Sequence, residues 1–267
     1  IIFMKRCMLL IILGYCFWHS IHANDIYFYH IGLRDGLSQI NIMSIYQDEL
    51  GAMWFGSTEG LNRNNGKEID TFAPTSDGRG IAQNTIFSIQ GNKAGAIYIH
   101  ADSDLIRYDI HSQRMEVLQY GSVRTILYKD NVLWAVIGDK ILLYNEESGS
   151  FKEYAKLDEN IKNVRCIHPA KEGKIWIGTQ TGLFLISSGK PEVIIEGERI
   201  NSIHEDRESN LWIGTNENGI YVVDKNHEIT NYRHQSDKNS ISNNQVRCII
   251  EDNLGKIWIG TFYGLNQ

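Results

Sequence analysis

Three stretches of this chain spell nearly the same phrase: KIWIGTQTGL from Lys174, NLWIGTNENGI from Asn210 and KIWIGTFYGL from Lys256. The aromatic residue that anchors the phrase recurs six times, as Trp54, Tyr98, Trp134, Trp176, Trp212 and Trp258, at spacings of 44, 36, 42, 36 and 46 residues. A period near 40–45 residues is that of a propeller blade of four strands. No other sequence feature restricts the fold so strongly.

Each unit reads alike. A short apolar stretch rich in β-branched residues, such as NIMSIYQ or QVRCIIE, comes first. Three residues before the aromatic stands Gly51, Gly95, Asn131, Gly173 or Gly255, with Ser209 as the exception. Gly and Asn tolerate the left-handed backbone of tight hairpins. The aromatic strand follows, then a polar loop, a third strand (GLNRNNG, GLFLISSG, GIYVVDKN) and a more polar fourth (EIDTFA, MEVLQY, FKEYAKL, PEVIIEG, EITNYRH). There are only three prolines and no sustained helical periodicity. The expectation is an all-β chain, a β-propeller of four-stranded blades with about six repeats, the last incomplete because the sequence stops at Gln267 as a third strand begins.

The first residues read differently. Met4-Lys5-Arg6, an apolar run from Cys7 to Trp18 and a small-residue end at Ala23 have the form of a secretory signal peptide. Residues 1–23 are read as that leader, 24–267 as the propeller, and Ile1-Ile2-Phe3 as translation upstream of the start. Lipidation at Cys16 is disfavoured by the bulky Tyr15 before it. Export implies a periplasmic location. The formal net charge is −6, and −8 without Lys5 and Arg6, which argues against nucleic-acid or anionic-membrane partners. Residues 26–31, IYFYHI, align with the fourth strand of other units and are expected to be an outer strand of the last blade.

The six aromatics are expected to fill the wedge between neighbouring blades. Gly56, Gly178, Gly214 and Gly260, two residues later, are expected to allow close backbone approach. Repeats two and three carry His100 and Val136 there and should pack differently. Cys166 and Cys248 occupy one register position, which other units fill with Ser44, Ser88 and Ser202. Equivalent positions two blades apart exceed disulfide reach, so both thiols are expected free and buried.

For chemistry, the informative position lies near the start of the innermost strand. It holds Met43, Phe87, Arg124, Arg165, Asn201 and Arg247. No acidic ring appears, and the histidines, including the register pair His168 and His204, lack metal-ligand spacing. No metal, cofactor or catalytic constellation is expected. Arg124, Arg165 and Arg247 could present cations at one channel mouth, suited to a uronate, a sulfate or another acidic group; the alternative is that they pair with neighbouring acids. Phe262 and Tyr263 replace small polar residues in the loop after the aromatic strand. They suit stacking on a sugar ring or packing against a following strand.

The segments SIYQDELGAMWFGSTEGLNRNNG (44–66) and CIIEDNLGKIWIGTFYGLN (248–266) resemble the two-component regulator propeller repeat. The resemblance spans the region after the leader and is strong in repeats one, four, five and six. It implies the extracytoplasmic sensor region of a hybrid two-component system, whose propellers are usually seven-bladed and paired. A membrane helix anchoring the protein in the inner membrane, a histidine kinase and a receiver would then lie downstream. It further implies an oligosaccharide ligand released from a complex glycan and a homodimer of the full-length sensor. Two rivals stand beside this reading: a propeller enzyme of lyase or lactonase type, and a non-catalytic protein-interaction platform.

Overall fold

The computed structural model describes residues 29–72, 81, 85–187, 190–226, 228–236 and 239–267. The leader expected over 1–23 lies outside the described residues, as does 26–28 of the expected returning strand; residues 29–31 carry no strand. Ile1–Ile31 forms one unit and Gly32–Gln267 another.

The second unit is six antiparallel sheets in chain order, each a meander. Blade one is β1 (Ile42–Gln47), β2 (Met53–Ser57), β3 (Gly60–Asn64) and β4 (Ile69–Phe72). Blade two is β5 (Ile86–Gly91), β6 (Ala96–Ala101), β7 (Asp104–Asp109) and β8 (Arg114–Gln119). Blade three is β9 (Val123–Lys129), β10 (Val132–Ile137), β11 (Lys140–Asn145) and β12 (Ser150–Lys156). Blade four is β13 (Val164–Pro169), β14 (Ile175–Thr179), β15 (Gly182–Ser187) and β16 (Lys190–Glu196). Blade five is β17 (Ile200–Glu205), β18 (Leu211–Thr215), β19 (Ile220–Val223) and β20 (Ile229–Tyr232). Blade six has three strands, β21 (Val246–Glu251), β22 (Ile257–Thr261) and β23 (Gly264–Asn266). The fold is the expected β-propeller with an incomplete last blade. No helix among the described residues is long and apolar enough to cross a membrane.

The first strand of each blade is innermost and packs against the first strand of the next, from β1 through β5, β9, β13 and β17 to β21. No packing of similar extent joins β21 to β1, and Ile45 on β1 is 58% exposed while its counterparts Ile89, Ile126, Ile167 and Ile249 are buried. The hydrophobic core is not central. It consists of five clusters, one in each wedge between successive blades. Trp54, fully buried, has ring-centroid distances of 5.3 Å both to Phe72 of its own blade and to Tyr108 of the next. Tyr98 likewise stacks on Tyr128 of blade three at 5.9 Å. Trp134, Trp176 and Trp212 pack against the next three wedge clusters, while Trp258 of the last blade belongs to none of the five.

Glycine makes room for these contacts. A Cβ on Gly56 would stand 2.6 Å from Cγ2 of Ile86, one on Gly178 2.6 Å from Cγ2 of Ile200, and one on Gly214 2.6 Å from Cγ1 of Val246. Each partner is the first residue of the next blade's inner strand, so glycine admits a β-branched side chain against the bare backbone. His100 and Val136 stand in the same register and are themselves buried, filling that space with their own side chains.

Hairpins between first and second strands have a latch that the sequence reading overlooked. Asp48, Asp206 and Asp252 each accept a 2.8 Å hydrogen bond from the indole Nε1 of Trp54, Trp212 or Trp258, six residues later. Their other carboxylate oxygen accepts two backbone amides of the turn, at 2.8–3.0 Å. In Asp206 these bonds outweigh the effect of burial and hold the carboxyl below its ordinary pKa. The turn residue three before the aromatic has positive φ in every blade, including Ser209 at 66°.

At the hairpin end of the inner strands, Lys129, His168 and Glu205 pin blades three, four and five together. The Lys129 ammonium lies 2.6 Å from His168 Nε2, 3.2 Å from the Pro169 carbonyl and 3.3 Å from the Glu205 carboxylate. Burial, and then the Lys129 charge, push the His168 pKa down to about 4. The neutral ring therefore accepts from lysine.

Both cysteines are free. Cys166 is covered by the neighbouring blade, since Gly178 faces both its sulfur and Ile200, and burial pushes its thiol up to about 12. Cys248, expected buried, is exposed. No blade packs on that face of blade six among the described residues.

Three outcomes are expected. Gly214→Ala should destabilise the fold by about 1–3 kcal/mol through overpacking, and Gly260→Ala by less, because its new Cβ would meet only Cys248 Sγ of its own blade at 2.7 Å; urea midpoints measure both. A water-soluble disulfide reagent should titrate Cys248 in the folded chain and Cys166 only after unfolding. The pH dependence follows from His168, which binds a proton near 6.5 when unfolded and near 4 when folded. Its contribution to stability is therefore complete above about 6.5 and is lost as pH falls toward 4. His168→Gln should flatten that part of the stability profile.

Candidate functional site

The six inner strands enclose one cavity of about 1030 Å³. Its lining follows from an irregularity repeated in every blade. Pairing of the first two strands slips by one residue, between Ile42 and Ser44 in blade one and at the same place in the other five. The residue left without a partner is Met43, Phe87, Arg124, Arg165, Asn201 or Arg247. A β-bulge of this kind re-aims one side chain, and all six of these residues line the cavity. The flanking residues, such as Val164 and Ile167, turn into the blade wedge.

The bulges make the channel two-sided. Blades one and two contribute Met43, Phe87 and the buried His100, whose ring lies 5.4 Å from that of Phe87. Burial lowers the pKa of His100, and its Nε2 has no hydrogen-bond partner. Blades three, four and six contribute the arginines singled out in the sequence. The structure brings Arg124, Arg165 and Arg247 to this one cavity. Arg124 Nε donates to the Gly138 carbonyl at 3.1 Å. Desolvation, and then the neighbouring Arg199 and Arg247 charges, lower the Arg165 pKa; at neutral pH its guanidinium still carries its proton.

Phe262 and Tyr263 sit at the rim. Phe262 lines the cavity with the Arg247 guanidinium 5.4 Å from its ring centroid, and Tyr263 meets it edge-on at 4.7 Å. The Phe262 amide donates to the Gln245 carbonyl at 2.9 Å, tying this loop to the start of β21. Tyr263 is 70% exposed and lies outside the cavity lining. The loops after the second strands therefore open on the arginine face, as expected.

Arg199 was missed in the sequence. It precedes β17, where the other blades have Asn41, Thr85, Ser122, Asn163 and Gln245, so no repeat register marks it. Its Nε is buried without a partner, as is Oδ1 of Asn201. Among the described residues, no group of three or more His, Cys, Asp or Glu could hold a metal ion. A second cleft of about 760 Å³, along the connector between blades three and four, contains its own ion pair, Lys156 with Asp139 at 3.4 Å.

A comparison with curated proteins finds no match. Solved structures of similar shape include the extracellular domain of a hybrid two component system from B. thetaiotaomicron, 24% identical, covering 89% of this chain and 41% of that one with a TM-score of 0.60. A second such domain from the same organism is 19% identical and covers 88% and 38%, with a TM-score of 0.57. Virginiamycin B lyase from Staphylococcus aureus is 14% identical, covering 83% and 78%, with a TM-score of 0.63. The chain spans about two fifths of the length of the two B. thetaiotaomicron domains. At these identities the likeness is one of fold. The family model for the two component regulator propeller matches residues 36–59, 158–181, 195–217 and 240–263, which are the connector and first two strands of blades one, four, five and six. In this β-propeller, four of the six blades thus carry segments that match the two component regulator propeller model.

Proposed function

We propose that the chain is the extracytoplasmic, ligand-binding part of a hybrid two-component sensor, exported to the periplasm, and that it binds an oligosaccharide at the arginine-lined mouth without converting it. Four family-repeat matches and the likeness to extracellular domains of such systems support the sensor role. The observation that carries the site is the ring of six bulge residues converging on one cavity with Phe262 at its rim. Blade interiors are consumed by packing, whereas the bulge side chains are free to vary. The signal would pass to a kinase in a region beyond this chain, with the full-length sensor acting as a homodimer.

A propeller lyase is the competing reading, given the lyase among proteins of this shape. Calorimetry against a panel of glycan oligosaccharides, with chromatography of the recovered sugar, separates the two. Saturable binding with intact sugar is expected, and turnover would contradict the sensor reading. Phe262 is 53% exposed, so Phe262→Ala should leave the fold intact while weakening binding about tenfold, equivalent to 1.4 kcal/mol.

A further inference from the structure

We propose that the channel mouth takes an oxyanion, a carboxylate or a sulfate on the ligand, held by the cavity-lining Arg165 and Arg247, with Arg199 adding positive charge behind them. The inference rests on the reading of this mouth as the ligand site and deepens it to a chemical class.

The first argument is the absence of counter-charge. Arg165, Arg199 and Arg247 come from blade four, from the residue leading into blade five, and from blade six. None of them has an ion pair among the described residues, and neither has Arg124 in the same lining, whereas Arg107, Arg207, Lys129, Lys140, Lys156 and Lys174 each pair with an acid. The whole chain carries 32 acidic against 26 basic side chains. Guanidinia gathered without counter-charge in such a chain repel one another, and an anion relieves that repulsion. Guanidinium is also the side chain best matched to two oxygens of a carboxylate or sulfate.

The second argument is the pair of orphaned atoms. Arg199 Nε is a buried donor with nothing to donate to. Asn201, two residues on, has its amide nitrogen tied to the Val246 carbonyl at 2.9 Å, which leaves Oδ1 as a buried acceptor without a donor. Of the two, Asn201 lines the cavity, and a ligand that offers a hydroxyl beside an oxyanion satisfies its Oδ1. An unsatisfied buried polar atom costs about 1–3 kcal/mol, so a ligand hydroxyl donated to that Oδ1 would remove the cost beside the Arg165 and Arg247 guanidinia.

Third, the remaining lining opposes no charge here. Asp102 is the sole acid among the cavity-lining residues. It belongs to the blade-two arc with Phe87 and His100, and one of its oxygens accepts the Thr85 amide at 3.0 Å. An acidic sugar would thus place its charge toward blades four to six. Its apolar ring face would meet Phe87 and Met43 across the channel, or Phe262 at the rim.

The test has two arms. In the first, Arg side-chain Nε–H resonances are followed by NMR as sodium sulfate or methyl galacturonate is added. Saturable shifts of Arg165, Arg199 and Arg247, abolished in Arg165→Gln and reduced in Arg165→Lys, are expected; the two probes distinguish sulfate from carboxylate as the preferred source. Absence of saturable shifts with either probe overturns the anion site whatever the sensor reading. In the second arm, calorimetry compares digalacturonate with neutral galactobiose. Digalacturonate should bind at least tenfold more tightly, with the preference erased by Arg165→Gln and weakened as sodium chloride rises. Equal affinity for the two disaccharides overturns the anion proposal and leaves the sensor reading standing. Anion shifts together with cleavage of the disaccharide keep the anion site and remove the sensor reading.

Discussion

The fold depends on one contact made repeatedly: a β-branched residue at the start of each inner strand seats against the second strand of the preceding blade. Where glycine provides the seat, the distance leaves no room for even one more carbon on Gly56, Gly178 or Gly214. The aromatic two residues earlier fills the wider part of the same wedge. All five apolar clusters lie in such wedges, so no blade is stable by itself in the way an independent domain would be. Stability in repeat architectures of this kind is largely a matter of neighbour interfaces. The consequence is visible at the ends of the series, where Ile45 and Cys248 are exposed at positions buried or covered elsewhere.

The same packing generates the site. Two residues three apart in each inner strand, such as Val164 and Ile167, both face the wedge. A regular strand cannot do this, because its side chains alternate. The bulge resolves the conflict by inserting one extra residue, and that residue is expelled into the channel. Scaffold and site are therefore coupled in position but independent in chemistry. The wedge demands Ile or Val, while the expelled residue is unconstrained and appears as Met, Phe, Arg or Asn. Arg165 stands next to Cys166 for this reason: the small residue fits under the following blade, and the arginine does not have to.

Much of this could be read in the sequence. The period of the aromatics specified the blades, their strand order and the incomplete sixth. The turn position was legible even at Ser209, where the residue type disagreed with its left-handed conformation. The register that aligned Arg124, Arg165 and Arg247 groups residues that line one cavity. The bulge itself was hidden, although the three-residue spacing of Ile86 and Ile89 or Val246 and Ile249 is its trace. The latch was also overlooked, yet an Asp six residues before Trp occurs at 48, 206 and 252. Arg199 was not legible by this route, because its register partners Asn41, Thr85, Ser122, Asn163 and Gln245 include no other arginine. Cys248 was misjudged because burial there depends on a neighbouring blade and not on the residue's own strand.

The central claim is that bulged residues face the channel while their neighbours face the wedge. Single cysteines introduced one at a time into a Cys166→Ser, Cys248→Ser background, at positions 43, 87, 124, 165, 201 and 247 and at the adjoining 86, 123, 164, 200 and 246, test it directly. A water-soluble maleimide should label the first set rapidly in the folded protein and the second only on unfolding. Rapid labelling at 164 or 200, with protection at 165 or 201, would contradict the account.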